Sequence, residues 1–305
     1  MPFDFLLIFF MQLEIHVKSD VGRVRRGNED NFLLLNLDSA RFETGGRPSV
    51  SADFPAIKLG DSGIVLSVSD GMGGALAGEV ASQMAVETVR DILLGEDSEI
   101  TLQPDARDSL IKQLYFSVLQ ANRQIHRKGR TDSQFNGMGA TLTCAAAVGN
   151  SVYLLQVGDS RAYLIRGGKI EQITKDQSLV QQLIDSNQIL PEEAERHALR
   201  NVILQALGAQ SEIYPVGCCF EPRRDDVLLL CSDGLSNKLS AADLLEFVQR
   251  AGEDLTAACN ELVREANARG GEDNITVILA RFKGDDLPAP ESETIEIKPL
   301  TFEES

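Results

Sequence analysis

Residues 140–174, ATLTCAAAVGNSVYLLQVGDSRAYLIRGGKIEQIT, carry the pattern that decides the fold. Four short apolar runs, Ala140–Val148, Val152–Val157, Ala162–Ile165 and Ile170–Thr174, follow one another, with Gly149-Asn150 and Gly167-Gly168 as turn pairs. Their even spacing predicts a meander of antiparallel neighbours. On the N-terminal side, Leu13–Val17 alternates as a strand does, and Asn31–Leu37 and Gly63–Ser69 read as two more. The polar stretch between them, residues 38–61, holds Gly-Gly and two prolines and is expected to be a loop excursion. The apolar spacing turns helical over Ala75–Leu94 and again over Ala106–Lys128. On the C-terminal side, residues 176–207 are polar and helix-prone. Val227–Cys231 is a wholly apolar strand, Ala241–Ala251 and Asp254–Ala268 are helical, and Ile275–Phe282 closes the pattern as a strand. Helices cluster between runs of strands, with no internal repeat and no strict βαβ alternation. An α+β protein with a two-layer β core flanked by helices therefore fits better than a doubly wound parallel sheet.

The chain has 305 residues, enough to bury roughly 75% of its unfolded surface, so neither disulfides nor a structural metal is needed merely to fold it. A net charge of −17 opposes a sequence-independent hold on nucleic acid or on an anionic membrane, since both need clustered Lys and Arg. The five cysteines, Cys144, Cys218, Cys219, Cys231 and Cys259, show no CxxC spacing and mostly sit in apolar runs, which points to buried thiols in a reducing cytoplasm. Residues 1–11 are expected to be an upstream extension to a domain spanning 12–283. The apolar run Phe3–Phe10 is interrupted by Asp4 and is too short to span a bilayer. From Asp285 onward, seven acids, one lysine and three prolines predict a solvated, disordered tail.

Four acidic loops are read as sharing one context, an Asp where an apolar strand ends and a Gly, Asn or Ser follows: Asn28-Glu-Asp30, Ser69-Asp70-Gly71, Ser232-Asp233-Gly234 and Glu272-Asp273-Asn274. A single Asp-Gly there is ordinarily a turn. Four would bring carboxylates to one rim, where they repel unless cations lie among them. Oxygen donors without His or Cys suit Mg²⁺ or Mn²⁺ rather than Zn²⁺. Two such ions supply an activated water for in-line attack on phosphorus. Arg25, five residues before Asp30, offers a planar fork for phosphate oxygens.

These residues stand in a longer series: SDVGRVRRGNED (19–30), SDGMGG (69–74), GMGAT (137–141), VGDSRAY (157–163), RNVILQALG (200–208), SDGLSN (232–237) and GEDNITV (271–277). In that order, over about residues 12–283, the series resembles the metal-dependent type 2C protein serine/threonine phosphatases in their bacterial form. The resemblance implies a four-layer α-β-β-α sandwich of two mainly antiparallel sheets and a centre of two Mg²⁺ or Mn²⁺ ions. It implies Asp70 as the bridging ligand with the Gly71 carbonyl on the first ion, and Asp30, Asp233 and Asp273 on the second. Asp159 with Asp233 matches the pair that holds a weaker third ion, Arg25 matches the phosphate-binding arginine, and Glu29 and Asn274 fall behind the ligands. The catalytic set is then Arg25, Asp30 and Asp70. Phosphorylated proteins and an opposing serine/threonine kinase are the implied partners of a monomeric enzyme.

Two positions depart from the family pattern. Met72 stands where animal members have a histidine, which removes a side-chain general acid there. Gln177 stands where many bacterial members have histidine, just before a segment, about 178–200, that should be the mobile flap. These departures, the 38–61 insertion and the acidic tail motivate an alternative, a catalytically weak metal-binding module that docks a partner. Other phosphatase designs lack their residues. Only His16, His126 and His197 exist, each expected to be structural, and the Cys-x5-Arg string from Cys218 to Arg224 has no glycines to cradle phosphate.

Overall fold

The computed structural model describes residues 11–95, 106–194, 196–289 and 294–302. The apolar run before Met11 lies outside the described residues. Chain order is β1 (Gln12–Asp20), β2 (Asp30–Asn36), β3 (Arg41–Thr44), β4 (Ser49–Lys58), β5 (Ile64–Met72), α1 (Ala75–Leu94), α2 (Ala106–Thr131), β6 (Gly139–Ala140), β7 (Leu142–Val148), β8 (Ser151–Val157), β9 (Arg161–Arg166) and β10 (Lys169–Gln172). Then follow α3 (Leu179–Asp185), α4 (Pro191–Ala194), β11 (Val216–Phe220), β12 (Val227–Cys231), α5 (Asp233–Ser236), α6 (Ala241–Ala251), α7 (Leu255–Ala268), β13 (Ile275–Lys283) and β14 (Lys298–Leu300).

Two antiparallel sheets result, one ordered β10-β9-β12-β13-β1-β4 and the other β14-β11-β8-β7-β5-β2-β3, with β6 paired to β5. The expected α-β-β-α sandwich is the architecture found, and the two-residue period of the strands shows why. Phe32 and Leu34 of β2 meet Leu228 and Leu230 of β12 between the sheets. The alternate residues Leu33 and Leu35 face α1 and α2, packing with Ala81, Ala85, Val89 and Leu114. On the other side, Val227, Leu229 and Cys231 face Phe247 of α6 and Leu262 of α7. Strands apolar on both faces are what two covering helix layers demand. α6 opens with a capping box in which Ser240 and Asp243 satisfy each other's backbone N–H.

Three expectations need correcting. The 38–61 stretch is not a loop excursion: β3 joins β2 in one sheet, and after Gly45–Pro48 the chain crosses so that β4 joins β1 in the other. Val50, Ala52 and Phe54 alternate inward there, while Pro55 is tolerated because β4 is an edge strand. The meander also breaks. β7 pairs with β8, but β8 then pairs with β11 and β9 with β12, so the chain changes sheets at Gly158–Ser160. Gly158 makes that crossing at φ +103°, where a Cβ would stand 2.6 Å from Thr141 Cγ2.

The tail, finally, is not wholly disordered, because β14 pairs with β11 and Phe302 stacks on Tyr115 of α2 with centroids 4.2 Å apart. Apolar Ile295, Ile297 and Phe302, scattered among the acids, supply the burial that net charge obscured. Phe302→Ala is accordingly expected to lower the unfolding free energy by roughly 1–2 kcal/mol. Urea denaturation would read this, and no change would mean that the strap carries no load.

Candidate metal centre

The strand ends set the site. Asp30 opens β2 and lies directly across from Asp70 on β5, and Gly71 pairs with Ala140 of β6. Asp233 opens α5 immediately after β12, with Ser232 between them, and Asp273 stands two residues before β13. Asp159 occupies the crossing from β8 to β9, and Arg25 the loop between β1 and β2. Because the strands are antiparallel, the end of β5, β8 and β12 and the start of β2, β9 and β13 share one rim. The sheet order thus gathers residues more than 200 positions apart.

A layer of neutral polar groups fixes these carboxylates. Asn274 accepts the Glu29 N–H at 2.8 Å and donates to the carbonyls of Val21 and Gly27, tying the Arg25 loop to the start of β13. Ser232 Oγ donates to Asp30 Oδ2 at 2.7 Å and accepts the Thr276 N–H at 2.9 Å. Thr141 Oγ1 accepts the Asp70 N–H at 3.0 Å and lies 2.6 Å from Ser160 Oγ, the hydroxyl next to Asp159. Gly234 allows the closest approach, since a Cβ there would overlap the Asn274 carbonyl oxygen. Sequence reasoning does not single out Ser232, Thr141 and Ser160. They lie inside the quoted motifs, but a hydroxyl beside a turn has many ordinary uses.

The electrostatics are unfavourable to bare carboxylates. Burial, opposed by the Ser232 and Thr276 hydrogen bonds and reinforced by Asp233 and Asp273, pushes the Asp30 carboxyl up to about 7. Burial and the negative charges of Asp30, Asp233, Asp159 and Asp273 hold Asp70 well above the usual carboxylate range. Asp233 is raised by burial and by Asp273, and Asp159 by burial and Asp233 to about 7. Partial relief comes from Arg25, whose Nη2 lies 2.8 Å from Asp273 Oδ2 and whose Nη1 lies 3.6 Å from Glu29. The guanidinium is half exposed, so its pull is screened by water.

A divalent cation fits this set on two observations. Asp30 Oδ1 and Asp233 Oδ1 are buried without a hydrogen-bond partner, which is costly unless something else engages them. The donors are oxygens only, the preference of a hard ion. Among the described residues no group of three Asp, Glu, Cys or His side chains is arranged to hold an ion as it stands, so backbone oxygen and water would have to share any coordination shell, as Mg²⁺ commonly requires. Of the sequence-predicted set, Asp30, Asp70, Asp159, Asp233 and Asp273 feel one another's charge, and Arg25 sits over Asp273.

Other features stay outside the site. His16 is buried against Asp53, and His126 Nδ1 lies 2.9 Å from the Gly208 carbonyl oxygen. Burial pushes the Cys218 thiol up to about 11, in a strand and not a phosphate loop, so the Cys-x5-Arg string has no chemistry. A cavity of about 310 Å³, lined by Met11, Arg166, Cys219 and Lys298 among others, lies at the opposite end of the sandwich and contains none of the candidate carboxylates. No helix among the described residues is long and apolar enough to cross a membrane.

Comparison with known proteins identifies the family. The family model described as protein phosphatase 2C matches residues 48–267, and the chain belongs to that family. Protein phosphatase PhpP of Streptococcus pneumoniae is 34% identical over 274 residues, covering 90% of this chain and 99% of that protein. The crystal structure of the Mycobacterium tuberculosis serine/threonine phosphatase PstP/Ppp aligns with a TM-score of 0.71 at 34% identity, covering 90% of this chain and 100% of that one. The catalytic domain of PstP in complex with two manganese ions aligns at 0.70 and 33% identity, with the same coverage.

Proposed function

We propose that this protein hydrolyses phosphoserine and phosphothreonine in other proteins at a centre of two Mg²⁺ or Mn²⁺ ions. The observation that carries this reading is the ring of mutually repelling carboxylates at one rim, Asp30 buried and the others partly so, with two orphaned oxygens. The two manganese ions in the related PstP catalytic domain support it. Asp30, Asp70, Asp233 and Asp273, with the Gly71 carbonyl, would hold the ions. Asp159 and Asp233 are suited to a weaker third ion. Bound there, the ions supply an activated water near neutral pH and screen the charge of the phosphate.

The chain's own residues do the rest. Ser232 and Thr141 hold Asp30 and Asp70 in place. Arg25 presents a fork that a phosphate can take over from Asp273 and Glu29. Met72 can donate no proton to the departing serine or threonine oxygen, so solvent must provide it. No specific observation favours the docking-module alternative. An opposing kinase, a cytoplasmic setting and a monomeric state complete the proposal, and phosphoproteomics of a strain lacking the protein would identify its substrates.

Turnover of p-nitrophenyl phosphate and of a phosphothreonine peptide is expected to need added Mn²⁺ and to vanish with EDTA. Arg25→Ala is expected to raise KM about tenfold or more, with a smaller change in kcat, because it removes a charge-assisted contact to the bound phosphate. Full turnover in EDTA would refute the reading.

A further inference from the structure

The loop that carries Arg25 is positive in a protein whose net charge is −17. Residues 21–28 and 45–48 hold four arginines, Arg23, Arg25, Arg26 and Arg47, and no acid. Hydrogen bonds bring the two stretches together: the Val21 N–H donates to the Pro48 carbonyl at 2.8 Å, and Asn28 Nδ2 to the Arg47 carbonyl at 3.0 Å. Arg25 is engaged by Asp273 and Glu29. The other three are exposed, and among the described residues their guanidinium groups have neither an ion pair nor a hydrogen bond. The acids beside them are committed elsewhere. Asp20 Oδ1 accepts the Gly22 N–H and Asn267 Nδ2, both at 3.0 Å, and Glu272, which follows the Gly271 that accepts the Arg23 N–H, pairs with Lys238. By contrast, Arg161, Arg166, Arg250, Arg264 and Arg269 each face a carboxylate at 2.6–2.9 Å.

We propose that Arg23, Arg26 and Arg47 select substrates in which acidic residues flank the phosphorylated serine or threonine, an inference that rests on the phosphatase reading above. An extended peptide advances roughly 3.3 Å per residue, so positions two or three away from a phosphate held at Arg25 fall about 7–10 Å from it, within reach of long side chains on the same loop. Each free guanidinium can fork a carboxylate without first giving up an internal pair. The acidic surface elsewhere repels such a peptide, but charges more than about 10 Å away are screened at ordinary ionic strength, so the local cluster decides. A flank of lysines would be rejected by the same three charges.

The test compares, on the full chain with Mn²⁺, two phosphothreonine peptides that differ only in their flanks, Asp and Glu in one, Asn and Gln in the other. The wild type is expected to prefer the acidic peptide about tenfold in kcat/KM at low salt, with the difference in KM, because exposed charge contacts are individually weak and three act together. Most of that preference should vanish in about 0.5 M salt, where screening acts within a few ångströms. Combining Arg23→Gln, Arg26→Gln and Arg47→Gln should bring the ratio to about one, and combining Arg23→Glu, Arg26→Glu and Arg47→Glu should make a lysine-flanked peptide the better substrate. Fluorescence anisotropy of the same peptides on metal-free protein reads the flank alone and should give the same ratios in binding. A wild-type ratio near one in both measurements, or a tenfold ratio that survives the three glutamine substitutions, would overturn the selection. A tenfold binding preference with no turnover of either peptide would uphold the selection and overturn the phosphatase reading instead.

Discussion

Asp70→Asn is expected to lower turnover by about a thousandfold or more while leaving a folded protein behind. The residue is the most crowded acid on the rim, raised by burial and by four neighbouring aspartates, so its negative charge is the group that cations would most relieve. The consequence for stability has the opposite sign. A carboxyl whose folded pKa lies above its unfolded value costs stability as pH rises from the unfolded value through the folded one, and that cost persists above it. Neutral asparagine carries no such cost. At pH 8 without metal, Asp70→Asn should therefore melt at or above the wild-type temperature, and Mn²⁺ should raise the melting temperature of the wild type only. A variant that melts lower and still gains from Mn²⁺ would place the cations elsewhere.

Gly234→Ala is expected to be among the most destabilising single changes at the site, roughly 3 kcal/mol or more. The added methyl would overlap the Asn274 carbonyl, and Asn274 is the residue whose amide joins Glu29, Val21 and Gly27. Pushing it away frees the Arg25 loop and shifts Asp233 and Asp273 together, so activity should fall with stability. Gly27→Ala is the natural comparison, because a Cβ there meets nothing within 4 Å, and it should stay within about 0.5 kcal/mol of the wild type. Chemical denaturation of the two variants side by side separates backbone contact from a general intolerance of alanine in these loops.

Much of the fold and of the site is legible in the amino-acid sequence itself. The apolar runs at Val227–Cys231 and Ile275–Phe282 are buried on both faces, and each is a central strand. The carboxylates stand out because each follows or precedes such a run. What stays hidden is hidden for physical reasons. β4 is an edge strand with most of its residues half or fully exposed, so Val50, Ala52 and Phe54 are outvoted by their polar neighbours. The change of sheet at Gly158–Ser160 is invisible to a two-residue period, since a strand reads the same whichever sheet it joins. β11, with its Gly-Cys-Cys centre, offers too little apolar contrast to be noticed. Ser232 and Thr141 act through hydrogen bonds whose partners are set by tertiary structure, and no spacing rule encodes that.

The central claim is that the facing aspartates become stable together by holding divalent ions. Anomalous diffraction from crystals soaked in Mn²⁺ tests it most directly. Two strong peaks lying among Asp70, Asp233 and Asp273, with Arg25 turned away from Asp273, are the expected result. A rim with no peak, with Arg25 still paired to Asp273, would contradict it.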